Sequence, residues 1–291
     1  MQQLLAICVV LVAASRLSAA ENIIYRELTS TGIPISSGAH VKLPPPTLAD
    51  GLAAADQQLA IKQIAGPSHP LEALVRRSVV APLVLKISNL DSATSQTLKI
   101  YQVDLWFVAY GSLDRIGDEQ FLKQQFEAEV SSSAEPSSPG LRAFSSEELA
   151  ARHLTLSSDE RLFAGKLVLF DRVRLNLAIL AEQTRGSESV LVALMPDRRL
   201  DGDPQYPNTW EKLMRDSANK LEAEKPQPYR AAGGYVKATR LAEPSGAVFI
   251  EYHMAFEEPR SWFEGANLLR SKLPLICQDG VRKFRRRIAG P

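Results

Sequence analysis

The chain has 291 residues, 45% hydrophobic and 23% charged, a balance that excludes an intrinsically disordered polymer and suffices for one large core or two modest ones. Its 34 basic and 33 acidic residues leave a formal charge of +1, so no bulk steering toward nucleic acid or a membrane is expected. The two cysteines, Cys8 and Cys277, fit no zinc spacing.

Leu4 to Ala14 (LLAICVVLVAA) is one apolar stretch, followed by the small residues Ser18, Ala19 and Ala20. This pattern predicts a cleavable secretory signal over 1–20, and with it a periplasmic, cell-envelope or extracellular location. The stretch is about half the ~20 residues a spanning helix needs, so no transmembrane anchor is expected after cleavage. Ile7 in front of Cys8 does not suit lipid attachment. Cleavage would remove Cys8 and leave Cys277 without a partner for an internal disulfide.

Residues 21–47 read as an extended arm, because the segment is punctuated by Pro and Gly and includes Pro44, Pro45 and Pro46. The remaining 48–291 read as a single α+β domain. Leu52, Ala55, Leu59 and Ile64 make an approximate helical stripe within Leu48 to Ala65, stopped by Gly66 and Pro67. Val79 to Asn89 and Leu98 to Tyr110 are β-branched and aromatic runs that predict paired strands. Asp118 to Val130 predicts a capped helix, Ser131 to Gly140 (SSSAEPSSPG) a flexible Ser/Pro-rich loop, and Ser145 to Ala151 a capped helix start. Strands are expected at Leu162 to Leu169, Val173 to Glu182, Val190 to Met195, Thr209 to Met214, Gly234 to Leu241 and Ala247 to Phe256.

Helical signals close the chain, from Ser261 to Ser271 and again from Pro274, a residue suited to a first helical position. Cys277, Val281, Phe284 and Ile288 fall on one helical stripe. Arg282, Lys283, Arg285, Arg286 and Arg287 fall on the other side and read as a solvated face, with contact to anionic lipid or polysaccharide as the alternative.

Strands followed by a terminal amphipathic helix are the order expected of a sheet that wraps that helix. The segment Gly234-Tyr235-Val236, the strand Val248 to Phe256 ending near Glu258-Pro259, then Trp262-Phe263, Leu268-Leu269, Leu273-Pro274 and Val281 to Arg287 resembles the closing part of START-like proteins. These form the helix-grip, or polyketide-cyclase and lipid-transport, superfamily. The resemblance covers roughly 229–288. It implies an α+β fold, a curved antiparallel sheet packed against a long C-terminal helix, with additional N-terminal helix and strands. It also implies an apolar cavity between sheet and helix that holds a lipid, sterol, polyketide or aromatic compound. The long region before Arg161 departs from that pattern.

Period-two alternation places Tyr252 and Met254 on one side of the Val248 to Phe256 strand, and with Trp262 these are the candidate lining residues. Glu251 and His253 share the opposite side. A carboxylate beside an imidazole could orient a general base or supply two metal ligands, but two are too few for zinc, and a surface-facing pair is the plainer reading. His40, His69 and His153 lie in loop-like contexts. Asp197, Asp201, Asp203 and Asn208 concentrate oxygen ligands of the kind calcium takes, without EF-hand spacing, and turn chemistry explains them equally well. No GxSxG, P-loop or GxGxxG is present, so no cofactor is implied. The leading expectation is an exported protein binding an apolar or amphipathic small molecule. The alternatives are an envelope or extracellular interaction protein without a ligand, and an enzyme using Glu251 and His253.

Overall fold

The computed structural model describes residues 22–90, 98–118, 120–121, 141–215, 217, 221–264 and 266–289. The expected signal over 1–20, the expected helix beyond Phe121 and the Ser/Pro-rich segment 131–140 lie outside the described residues.

The N-terminal segment opens with α1 (Ile23–Arg26), capped by the Asn22 side chain on the Tyr25 amide, and runs on as a π-helical turn over Glu27–Thr31. A two-stranded ladder follows, β1 (Ile33–Pro34) against β2 (His40–Val41). The expected first long helix is α2 (Ala54–Ala65), which starts six residues later than its apolar pattern suggested; α3 (Leu71–Leu74) follows. Then come β3 (Val84–Asn89), β4 (Leu98–Tyr110), α4 (Leu113–Ile116), β5 (Arg142–Ala143) and α5 (Ser146–Ala151). The expected cap on α5 is a full capping box, with Ser145 and Glu148 each accepting the other's backbone N–H.

The remaining strands are β6 (Glu160–Leu169), β7 (Val173–Arg185), β8 (Ser189–Pro196), β9 (Thr209–Arg215), β10 (Leu221–Ala223), β11 (Gln227–Pro228), β12 (Ala232–Arg240) and β13 (Ala247–Pro259). Among the described residues β3 to β13 form one eleven-stranded sheet whose ladders are all antiparallel. Its central order is β7-β8-β12-β13-β4-β3, and β4 pairs with β13 along its whole length, from Leu98↔Pro259 to Tyr110↔Ala247.

The chain closes with one helix, α6 (Leu268–Ala289), not two. Pro274 lies inside it, where its ring denies the Arg270 carbonyl a backbone donor; the apolar contacts of Leu269 and Leu273 carry the helix through that point. Val281 and Ile288 are buried against the sheet and Cys277 and Phe284 half-buried, as the stripe predicts. This is an antiparallel sheet with a C-terminal helix against one face.

Successive residues of a strand point to opposite faces, and here both faces are covered. Val103, Leu105, Phe107 and Ala109 of β4 meet α6, which runs from the Tyr101 end of that strand toward the Ala109 end. Val108 of β4 and Phe249 of β13 face the other way, into a cluster with Leu48, Ile61 and Leu74. Farther along this outer face Leu28, Ile33 and Leu43 pack on Leu191, Tyr235 and Ala255. Residues 22–47, expected as an extended arm, together with 48–50 therefore form a strap across the outer face.

One basic residue of the expected solvated face is not solvated. Arg285 is 5% exposed and donates from Nε to Val108 O at 2.9 Å, and from its terminal nitrogens to the carbonyls of Val79, Ala81 and Pro82. Burial pushes its pKa down to about 10. The β3 ladder with β4 ends at Val84↔Trp106, so beyond it the guanidinium fork holds the chain leading into β3 to β4 and to the helix.

Candidate functional site

The two ends of α6 are packed tightly and its middle less so. At the N-terminal end Trp262, Leu269 and Leu273 bury against Tyr101, Leu175 and Phe256; at the C-terminal end Val281 and Ile288 bury against Phe107, Val190 and Val248. Between them Leu194, Val236, Tyr252 and Met254 are only half-buried, although all four belong to the clusters that α6 helps to form. They are contiguous, because Val236 stands opposite Tyr252, and Gly234 stands between Leu194 and Met254. Gly234 keeps that spot low: a Cβ there would lie 2.9 Å from Met254 Cβ and 2.8 Å from His253 O. Cys277 is the helix residue that contacts both end clusters, so the strip lies under its turn.

Thus Tyr252 and Met254 are brought together beneath the helix. Trp262 sits at one end of the same layer, 1% exposed, its ring 5.3 Å from Tyr229 and 5.9 Å from Trp210. Its indole Nε1 has no hydrogen-bond partner among the described residues.

Glu251 and His253 do share the outer face, but they are 0% and 1% exposed rather than on the surface, because the strap covers them. His253 Nδ1 lies 2.7 Å from Asp104 Oδ1, and Nε2 is 3.7 Å from Glu251 Oε2. The Glu251 carboxylate accepts the strap's Thr47 N–H at 2.6 Å and Leu48 N–H at 3.3 Å. Lys237, cross-strand from Glu251, donates to Leu48 O at 2.7 Å and pairs with Asp50 at 2.8 Å. Tyr235 and Trp106 pack on the imidazole, their ring centroids 5.0 and 5.4 Å away. Burial works against an imidazolium here, but hydrogen bonding to Asp104 and then the Glu251 carboxylate outweigh it and hold the His253 pKa above its ordinary value. A histidine between two carboxylates, with no hydroxyl or thiol at either ring nitrogen among the described residues, lacks the nucleophile-to-base contact of a triad. What the arrangement does is fasten the strap.

Asp104, Lys237 and Asp50 were not singled out in the sequence. Asp104 is the one charged residue in Ile100 to Tyr110 and Lys237 the one in Ala232 to Thr239, which is the signal that could have found them; Asp50, Thr47 and Leu48 lie more than a hundred residues from Lys237 and Glu251 in the chain.

The acidic stretch 197–208 is already neutralised by arginines. Asp197 pairs with Arg199 at 2.6 Å, Asp201 with Arg230 at 2.6 Å and Asp203 with Arg152 at 2.7 Å, while Asn208 donates to the Asp197 carbonyl and to Asp201. Among the described residues no group of three or more His, Cys, Asp or Glu side chains is arranged to hold a metal. A pocket of about 330 Å³ opens on the outer face between α2, α3 and the β12–β13 turn. Its buried polar side chain, Gln57, is spent on the backbone, donating to Arg240 O at 3.3 Å and accepting from Ala242 N at 2.9 Å.

No family model matches the sequence, and no curated protein is significantly similar to it. Some solved structures match much of the chain at low identity and low TM-score. One is the human StarD13 lipid transfer and protein localization domain, 7% identical over 70% of this chain and 89% of that one, with a TM-score of 0.38. Human STARD10 is 7% identical over 82% of this chain and 83% of its own, with a TM-score of 0.33. A conserved protein from Geobacillus kaustophilus is 10% identical over 65% of this chain and 95% of its own, with a TM-score of 0.36. The antiparallel sheet with a C-terminal helix against one face is read from this chain's own strand order and the contacts of α6.

Proposed function

We propose that this protein binds an apolar or amphipathic small molecule between α6 and the sheet, over Leu194, Val236, Tyr252 and Met254. The observation that carries the reading is this contiguous half-buried apolar strip under a helix whose two ends are close-packed. Apolar surface left partly in contact with water costs about 25 cal/mol per Å², and an apolar occupant recovers that cost. Glu251 and His253 play no part in the binding, since the strap seals them on the opposite face.

The test is solvent extraction of the purified protein with mass spectrometry of the extract, and titration with a hydrophobic fluorophore. A co-purifying apolar compound, with probe binding that falls in Val236→Trp and not in the surface variant Leu59→Gln, supports the reading. A folded protein that carries no such compound, and whose probe binding is the same in wild type and Val236→Trp, overturns it. We also propose that the protein acts outside the cytoplasm, as the pattern of residues 1–20 suggests. Recovery of a chain beginning at Glu21 from the exported fraction supports this, and retention of Met1 on the cytoplasmic protein overturns it.

A further inference from the structure

The outer side of α6 concentrates what the rest of the molecule disperses. Arg270, Lys272, Arg282, Lys283 and Arg286 are exposed there with Asp279 as the exposed acid, whereas the whole chain is balanced at 34 basic to 33 acidic residues. None of these five cations forms an ion pair with a described residue, so their charge is not consumed within the fold. Between the two cationic turns stand Leu275 and Ile276, 61% and 50% exposed.

Spacing puts them on one face. Lys272 precedes Leu275 by three residues and Ile276 by four, while Arg282 and Lys283 each follow one of the pair by seven, two helical turns on. A single exposed leucine needs no explanation, but an adjacent exposed leucine and isoleucine with cations a turn before and two turns after, and Asp279 as the one acid between, match a surface that is anionic in its outer layer and apolar just beneath. An acidic polysaccharide would satisfy the charges and leave Leu275 and Ile276 in water; a lipid bilayer satisfies both.

We propose that this face of α6 docks the protein on an anionic lipid surface, with Leu275 and Ile276 entering between headgroups and Lys272, Arg282, Lys283 and Arg286 lying on the phosphates. The contact is peripheral, because no helix among the described residues is long and apolar enough to cross a membrane. It places the helix that covers the apolar strip directly on the lipid, and it stands whether or not a ligand occupies that strip.

Flotation of the full chain with phosphatidylcholine vesicles, with and without phosphatidylglycerol, tests this. The protein is expected to float with the anionic vesicles, to stay behind with the neutral ones, and to be released by raised salt. Leu275→Ser with Ile276→Ser should weaken vesicle binding about tenfold or more, and Arg282→Glu with Lys283→Glu at least about fivefold for each cation lost. Both pairs lie on the exposed side of α6, so their melting temperatures should match the wild type. Absence of binding to anionic vesicles overturns the proposal. So does vesicle binding indifferent to both variant pairs, or retention on heparin that exceeds vesicle binding and ignores the Leu275 and Ile276 changes. Extraction of no ligand from a protein that floats, with probe binding unchanged in Val236→Trp, would defeat the function proposed above and leave this surface standing.

Discussion

His253 Nδ1 and Asp104 Oδ1 meet at 2.7 Å across directly opposed positions of β13 and β4, beneath a strap whose amides are held by the next carboxylate along the strand, Glu251. An imidazolium serves both carboxylates at once; a neutral ring serves one. Because the folded pKa of His253 is raised, its contribution to stability is full below the unfolded value of about 6.5 and is lost as pH rises through the folded value. Denaturant unfolding at a series of pH values should therefore show stability falling as pH rises above about 6.5, and His253→Gln should remove that slope. Replacing His253 by Ala leaves two buried carboxylates facing each other and should cost about 3–5 kcal/mol. An unchanged pH slope in His253→Gln would assign the titration to another group.

Glu251 is expected to control the strap locally. Its carboxylate takes both the Thr47 and the Leu48 amides, and hydrogen bonds to a charged acceptor contribute about 1.5–3 kcal/mol each. Glu251→Ala should raise hydrogen exchange at these two amides and open residues 36–50 to limited proteolysis. Exchange at Arg285 and along β4 should change much less, because those groups lie on other contacts.

The long strands, their antiparallel pairing and the terminal helix stripe were legible because they depend on local periodicity. Leu98–Tyr110 was read with its observed limits, since β-branched and aromatic residues fill it and polar residues bound it. The strap was not legible: nothing in Thr29 to Thr47 tells an extended arm in water from an extended arm on a sheet, because the backbone N–H groups of Ser36 and Thr47 find Glu257 and Glu251 only after the chain has folded. The same limit explains Glu251 and His253. Alternation fixed their shared face correctly but not what covers that face, so a buried pair looked like a surface one. Arg285 was misread for the opposite reason, since its partners are carbonyls, which leave no charge pattern in a sequence.

The join between the end of β4 and α6 depends on Gly111. A Cβ at this position would come within 2.8 Å of the Ile288 carbonyl oxygen and closer still to its side chain, and the backbone atom cannot turn aside as a side chain could. Gly111→Ala should cost about 1–3 kcal/mol, the usual penalty for overpacking a filled site. It should also lower the protection of the last turn of α6 in hydrogen exchange. Wild-type melting behaviour in this variant would mean that the helix end is less closely seated than the Gly111–Ile288 approach indicates.

Trp262 offers the test that separates packing from recognition. Its indole ring fills the N-terminal end cluster of α6, so Trp262→Ala should cost about 3–5 kcal/mol. Trp262→Phe keeps most of that apolar volume and removes only an N–H that has no partner among the described residues. Deleting an unsatisfied buried donor relieves its desolvation cost, about 1–3 kcal/mol, which offsets the smaller ring, so this variant should unfold within about 1 kcal/mol of the wild type. If the N–H is held for an occupant of the strip, Trp262→Phe should weaken binding of a long-chain alcohol or ester by about two- to tenfold, as one neutral hydrogen bond is worth, and leave binding of the matching hydrocarbon unchanged. Equal losses for both ligands would make Trp262 a packing residue and nothing more.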